Sequence, residues 1–558
     1  MSHASLPISP LLPQLKETLS VHNTAILQAP PGAGKTTQVQ PSLLSEDVPP
    51  GKKIIMLEPR RLAASNAACF MASKLGEKVG QTVGYNIRYQ RKISSQTRIE
   101  VVTEGILTRR LQQDPELAEV GLIIFDEYHE RHLQSDLALA LCKDVQDGLR
   151  DDLKILIMSA TLDATPLAEQ LHAPLLTSEG RSFPVSIHYL PGKKERSIVD
   201  ATLTATQRAL NETSGDLLVF LPGEAEIRRC HQKLLSLTDN TLICPLYGNL
   251  PFSEQERAIQ PANQRKIVLA TNIAETSLTI EGISVVVDSG YSRQPRFDTG
   301  SGLNRLKLGM ISQASATQRA GRAGRLGPGH CYRLWSEGTQ NALLPFTPPE
   351  IRMADLTPLV LDLLAWGITD PSALFWLDPP SASGWQSGLD LLGQLGALDN
   401  NQQLNSIGRR LAKVPAHPRL ACLLIKAEEQ NILELGCDLV ALLNEPDPWF
   451  KRTPARHSQS DILDRLEAFW HHQNTREFSA IAKASRYWRS YFKLSNNTPQ
   501  TSMENLTLLL AFVFPNRIAK RRQTGGMRYH LSSGLGAKLS KQTAVQNSDL
   551  LIAIDLYS

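Results

Sequence analysis

Short apolar runs that alternate with amphipathic stretches constrain this 558-residue chain more than any other feature. Thr24–Gln28, Lys53–Leu57, Ile99–Val102, Leu122–Phe125 and Ile155–Met158 are each apolar enough for a buried strand. Longer Ala-rich or amphipathic stretches, such as Leu62–Leu75 and Leu133–Leu149, separate them. Strands that alternate with helices predict a parallel sheet covered on both faces. The pattern then restarts with Leu217–Leu221, Leu242–Pro245, Ile267–Ala270, Val285–Asp288 and Tyr332–Trp335. The expectation is α/β, with two such domains in tandem and a linker at Gly180–Pro184. Strands stop near Leu344, where Pro345, Pro348 and Pro349 punctuate the chain. Residues 354–430 read as mainly helical, and 431–493 as helices rich in Trp, Tyr and Arg. After Thr501, Gly525, Gly526, Gly534 and Gly536 alternate with short apolar pieces, which suggests the start of a small β-domain.

Composition bounds the class. Hydrophobic residues are 42% and charged residues 20%, which excludes wholesale disorder, collagen and a coiled-coil rod. The net charge is +4, but Lys451–Arg528 holds 14 Lys and Arg against 5 Asp and Glu. That basic block suggests a polyanionic partner. The seven cysteines include no C-x-x-C pair, so they read as reduced core thiols with no structural metal. His471-His472 lacks any further ligand frame. No apolar run approaches the roughly 18 residues of a membrane span, and no signal peptide is recognisable. These features predict a soluble cytoplasmic protein without a membrane partner.

Residues 29–36 read A-P-P-G-A-G-K-T, after one strand and before a helix. That is the setting of a phosphate-binding loop, with Ala29 in place of its usual first Gly. Pro31, Gly32, Ala33, Gly34, Lys35, Thr36 and Thr37 are the expected nucleotide-binding set. Gly32 and Gly34 turn backbone N–H groups toward phosphates, Lys35 reaches the β- and γ-phosphates, and Thr36 ligates Mg²⁺. Leu122–Phe125 ends in Asp126 and Glu127. A strand tip puts both carboxylates at the sheet edge beside the loop, Asp126 for Mg²⁺ and Glu127 as the base for the attacking water. Ser159 and Thr161 of S-A-T end the next strand, where their hydroxyls could couple the phosphate site to the neighbouring domain. In Q-R-A-G-R-A-G-R (318–325), Arg322 and Arg325 lie three apart. Both guanidiniums would face one way and suit a γ-phosphate.

These segments, together with E-P-R-R-L-A-A (58–64), T-E-G-I-L (103–107) and A-T-N-I-A-E-T-S-L-T-I (270–280), resemble the superfamily 2 helicases in order and spacing. D-E-Y-H followed by Glu130-Arg131, with G-R-S-F-P-V at 180–185, is similar to the DEAH/RHA branch, above all to the bacterial HrpB-type helicases. The resemblance implies two tandem RecA-like P-loop domains (1–179 and 180–345). A winged helix (346–413), a helical bundle (414–503) and a partial OB-like β segment (504–558) would follow. It implies catalytic roles for Glu127, Gln318, Arg322 and Arg325, the Gln on water and the arginines as fingers in cis. Arg60, Arg61, Thr103, Thr271 and Thr276 would meet the nucleic-acid backbone, and the β-hairpin at 291–306 would help separate strands.

The implied activity is an ATP-dependent RNA helicase or translocase, using ATP and Mg²⁺ and moving 3′→5′ on single-stranded or partly duplex RNA. Two alternatives remain open: a DNA helicase on the same engine, and an ATP-gated nucleic-acid clamp that does not unwind. Three departures from the family pattern stand out. Tyr128 takes the place of an Ala, Phe70 that of an adenine-stacking Arg, and relatives usually continue well beyond Ser558, so this chain is expected to be C-terminally short.

Overall fold

The computed structural model describes residues 6–30, 32–44, 51–87, 90–160, 164–179, 183–191, 197–237, 241–248, 250, 252–275, 280–298, 303–445, 448, 458–495, 502–540, 543–545 and 548–554. The chain divides into two compact units. One comprises Met1–Arg296, Leu306–Met353 and Leu374–Asp378; the other comprises Phe297–Arg305, Ala354–Ala373 and Pro379–Ser558.

The first unit holds two sheets. The first sheet contains β1 (Thr24–Gln28), β2 (Lys53–Leu57), β3 (Val83–Ile87), β4 (Gln90–Lys92), β5 (Ile99–Val102), β6 (Val120–Phe125), β7 (Lys154–Ser159) and β8 (Leu175–Thr177). Its order is β4-β3-β5-β2-β6-β7-β1-β8, parallel except for the β3–β4 pair. Every residue of β6 is buried, because helices cover both faces of a parallel sheet. Ile54, Met56, Leu122, Ile124, Leu156 and Met158 share one core with Ala64, Ala68 and Met71 of the helix Arg61–Lys74.

The second sheet contains β9 (Val185–Tyr189), β10 (Asp216–Phe220), β11 (Leu242–Leu246), β12 (Lys266–Ala270), β13 (Ile283–Asp288) and, after a hairpin, β16 (Gly329–Arg333). Its order is β11-β12-β10-β13-β16-β9, parallel throughout. The hairpin is β14 (Tyr291–Asp298) and β15 (Leu303–Met310), so it runs past the expected 306. At its root Arg293 forms a two-pronged ion pair with Glu226, at 2.7 and 3.1 Å.

Where sequence and structure differ, the cause is local. β9 is not among the expected strands: it is an edge strand without a fully buried residue and therefore carries a weak apolar signal. The last expected strand is shifted. β16 ends at Arg333, and Trp335 packs instead on Ile311 and Ala316. Cys69 is exposed, contrary to a core assignment, whereas the other six thiols are buried.

In the second unit, helices Thr357–Trp366, Ala382–Gln394 and Ser406–Lys413 accompany a small antiparallel bridge, Leu398 to Leu404. Helices Pro418–Glu429, Leu433–Asn444, Asp461–His472 and Ser479–Tyr491 follow. Thr501 does not mark the start of β structure. The helix Met503–Val513 comes first and packs on Pro418–Glu429, and the glycines lie in later turns. An antiparallel sheet then forms from β17 (Ile518–Arg521), β18 (Arg528–Leu531), β19 (Gly536–Lys538) and β20 (Leu550–Ile552), in the order β19-β18-β17-β20. Among the described residues no helix is long and apolar enough to cross a membrane.

The basic block is not all surface. Arg489 is buried, with Nη2 2.7 Å from Asp438 Oδ2. The same carboxylate accepts from Trp470 Nε1 at 2.8 Å and from the Ser485 hydroxyl. Asp438 thus ties three helices together. Asp438→Ala strands a buried guanidinium and is expected to cost about 3–5 kcal/mol. Denaturant unfolding followed by Trp fluorescence checks this; an unchanged midpoint would contradict it.

Candidate active site

The loop after β1 closes where Gly32 and Gly34 take φ of +84° and +99°, a region that favours glycine. The helix Lys35–Leu43 starts immediately after it. The Ala29 N–H donates to the Ser159 carbonyl at 3.0 Å, which fastens the loop to the end of β7. Ala33 is buried, and its carbonyl accepts from the Ile8 N–H at 3.1 Å. Lys35 is buried and its ammonium donates to the Ala29 carbonyl across the mouth of the loop. The Thr36 hydroxyl donates to Asp126 Oδ2 at 2.6 Å, and the Thr37 N–H donates to the Gly34 carbonyl at 3.2 Å. Pro31, Thr161 and Thr276 lie outside the described residues.

Asp126 leaves β6 with its N–H on the Leu57 carbonyl at 3.0 Å. Burial first, and the Glu127 carboxylate second, push its carboxyl up to about 7. Glu127 sits at φ +51° with Oε2 buried, without a hydrogen bond and 3.5 Å from His129 Nδ1. The opposite ring nitrogen of His129 lies 2.9 Å from the Gln318 amide, on the helix Gln313–Gly321 that flanks the second sheet. Burial lowers the His129 pKa despite its carboxylate neighbours, which favours a neutral ring. His129 therefore lies between Glu127 and the second sheet's domain, with Nδ1 accepting from the Ala160 N–H at 3.3 Å. Its place in D-E-Y-H was visible in the sequence, but its bridging role was not.

Arg322 opens a 3-10 turn, Arg322–Gly324, in which residues three apart eclipse, so Arg322 and Arg325 do face one way. Both are held below the usual guanidinium range. Burial leads, followed for Arg322 by repulsion from Arg325; Arg325 comes down to about 10. Glu127 acts on both from the first sheet's domain. Arg322 Nε donates to the Glu275 carbonyl at 3.1 Å. Arg319, which sequence reading passed over, anchors this helix. It is almost wholly buried, 3.0 Å from both Glu275 Oε2 and Asp288 Oδ1.

The residues expected to meet nucleic acid are placed unevenly. Arg61 is exposed at the start of its helix. Thr103 precedes the helix Glu104–Gln113, and Thr271 follows β12; both are half buried. Arg60 instead chelates Glu130 at 3.0 and 3.1 Å and donates to the Ile273 carbonyl at 3.0 Å. Contact with a nucleic acid would require that arrangement to be exchanged. Ser159 is buried at the end of β7, opposite Gln28 in β1. Phe70 is half exposed, with the Lys74 ammonium 5.5 Å from its ring centre. Glu58 is buried with both carboxylate oxygens unpaired. Burial, then Asp126, Glu127 and Glu130, holds its pKa well above the carboxylate range.

The arrangement suits a magnesium triphosphate. Asp126 and Thr36 are hard oxygen donors brought together at one point, and left-handed loop glycines open the backbone toward an anion. Arg322 is buried and Arg325 half buried; burial lowers both, and Arg325 further depresses Arg322, so a bound phosphate would relieve the pair.

Known families cover much of the chain. Residues 13–169 match the DEAD/DEAH box helicase family, 195–327 the helicase conserved C-terminal domain, and 388–416 the winged-helix helicase-associated domain HA2. The chain is 44% identical to the ATP-dependent RNA helicase HrpB of Escherichia coli over 557 residues, 99% of this chain and 66% of that protein. It is 40% identical to the pre-mRNA-splicing factor ATP-dependent RNA helicase prp22 of Schizosaccharomyces pombe, over 80% of this chain and 39% of that one. Two crystal structures of E. coli HrpB superpose with TM-scores of 0.87 and 0.89 at 44% identity. They cover 100% and 99% of this chain, which in turn spans 67% and 69% of theirs. The chain thus spans about two thirds of HrpB and two fifths of prp22. On these matches, the chain belongs to the DEAH/RHA branch of the DEAD/DEAH-box helicases, as an HrpB-type member.

Proposed function

We propose that this chain is an ATP-dependent RNA helicase that hydrolyses Mg-ATP between its two sheet domains and moves 3′→5′ on single-stranded RNA, separating duplex ahead of it. The observation that carries this reading is the contact across the site. Glu127, at the tip of β6, lies 3.5 Å from His129, whose other ring nitrogen is 2.9 Å from Gln318, and it acts on Arg322 and Arg325. Either domain alone supplies only half of such a centre.

In this reading Lys35 and the loop amides hold the β- and γ-phosphates. Thr36 and Asp126 hold Mg²⁺, which neutralises charge on the phosphates when bound. The Thr36 hydrogen bond to Asp126 is then exchanged for that cation. Glu127 accepts the proton of the attacking water, for which its unpaired Oε2 is available. Gln318 orients the water. Arg322 and Arg325 stabilise the charge that builds on the transferred phosphoryl group. The relatives' names favour RNA as the track. Arg60 (once released from Glu130), Arg61, Thr103 and Thr271 are the described residues assigned to its backbone.

Steady-state ATP hydrolysis, with and without single-stranded RNA and with DNA of the same sequence, tests this. Strong stimulation by RNA alone is expected; equal stimulation by both would favour a DNA or mixed track. Glu127→Gln should still bind ATP but turn over at least about 100-fold slower. Near-normal turnover would remove Glu127 from the mechanism.

A pH dependence follows from Asp126. A protonated carboxyl cannot ligate Mg²⁺, and this one takes up its proton as pH falls through about 7. Affinity for Mg-nucleotide should be flat above that pH and fall about tenfold per unit below it. Titrating a fluorescent nucleotide from pH 5.5 to 8.5 measures the profile, and Asp126→Asn should abolish its slope.

A further inference from the structure

The 3-10 turn Tyr128–Glu130 that follows the catalytic strand lies between two left-handed residues, Glu127 at φ +51° and Arg131 at φ +52°. Neither is glycine, so contacts elsewhere must hold the backbone there. Arg131 provides them. Its guanidinium is buried and grips Asp136 with Nε and Nη2, both at 3.1 Å. It also packs 5.8 Å from the centre of the buried Tyr128 ring.

That local grip is sufficient to pair the charge, yet Arg131 makes a further contact. Nη1 lies 2.9 Å from Oδ2 of Asp378, 247 residues further along the chain. Asp378 is steadied from outside by Arg352 Nη2, 2.6 Å from its other oxygen. The same stretch of chain closes on the turn a second time. The Glu350 N–H donates to the Arg131 carbonyl at 3.0 Å, and Glu350 Oε2 accepts from the Leu133 N–H at 2.9 Å. His132 lies between Glu350 Oε2, at 3.3 Å, and Glu130 Oε2, at 2.8 Å. Glu130 in turn holds Arg60.

We propose that Asp378 and Glu350, on the chain that follows the second sheet, are positioning residues for ATP hydrolysis: Asp378 through Arg131, and Glu350 through His132 and the Leu133 N–H, lock the turn that carries Glu127 and His129. The inference rests on the helicase reading above and deepens it. Chain that leaves the second sheet sets the register of a base that belongs to the first. Displacing Glu350 and Asp378 would loosen Glu127 without touching the phosphate loop. The latch thus makes hydrolysis depend on the conformation of the chain downstream of both sheets.

Asp378→Asn is a clean probe because the Arg131–Asp136 pair remains. In the full chain kcat for ATP is expected to fall on the order of tenfold, with KM for ATP and RNA affinity within about twofold, as for loss of positioning alone. Asp378→Glu should recover most of the rate, and Glu350→Ala, which removes the acceptor of the Leu133 N–H, should reproduce the kcat loss. Amide hydrogen exchange over 128–133 should quicken in Asp378→Asn while the phosphate loop is unchanged. Wild-type kcat in Asp378→Asn and Glu350→Ala, an effect confined to KM, or unaltered exchange would overturn the proposal. If Asp378→Asn does not fold, Arg352→Gln, at an exposed position, removes only the outer support of Asp378. It should lower kcat in the same direction, and an unmoved kcat there would be equally fatal. If the wild-type chain shows no ATPase at all, the helicase reading fails, and the exchange measurement still decides the latch.

Discussion

Burial of like charges around the tip of β6 is the constraint on which the rest of the site depends. Asp126, Glu127 and Glu58 crowd one side, and burial together with mutual repulsion drives the Asp126 and Glu58 pKa values upward. Arg322 and Arg325 crowd the other; burial drives both of theirs down, and repulsion from Arg325 adds to this at Arg322. Taking a charge out of water is costly unless it is paired. Two sheets covered on both faces supply the apolar burial that can offset this cost. A bound cation would favour ionised Asp126, and a bound anion would favour fully charged arginines. Ligand binding is thereby linked to the stability of the whole first unit, which should rise with the logarithm of ligand concentration.

Much of this was legible in the sequence because it is periodic or local. β1, β2 and β5 occupy the residues their apolar runs predict, since a strand buried on both faces leaves a continuous apolar signature. The phosphate loop, Asp126 and Glu127 were legible for a related reason. Glycine before a Lys-Thr pair, and acids at the end of an apolar strand, have few other uses in that setting. Of the strands that escaped notice, β3 lies inside the sheet, but Gly84 and Asn86 interrupt its apolar run; others are short or at the sheet edge. β8 has three residues, and β9 is half exposed, so neither needs a continuous apolar run.

What could not be read was pairing across long sequence separations. Nothing near Arg131 announces Asp378, and nothing near His129 announces Gln318. Arg60 and Arg489 illustrate the same blindness in reverse. Both looked like charge available to a nucleic acid, yet one is tied to Glu130 and the other to Asp438. Charge counts along a chain give no information about which charges face inward.

The distribution of the seven thiols has a practical consequence. Burial pushes the Cys230 and Cys331 thiols up to about 12, and the other buried thiols also move upward, which leaves little thiolate to react at neutral pH. Cys69 alone is exposed, on the helix that begins at Arg61 and packs against the first sheet. The native chain therefore offers a single address for a maleimide dye, on the same domain as the phosphate loop. One further cysteine on the second sheet's domain would complete a distance ruler between the two sheet domains, with no need to strip the protein of its own thiols.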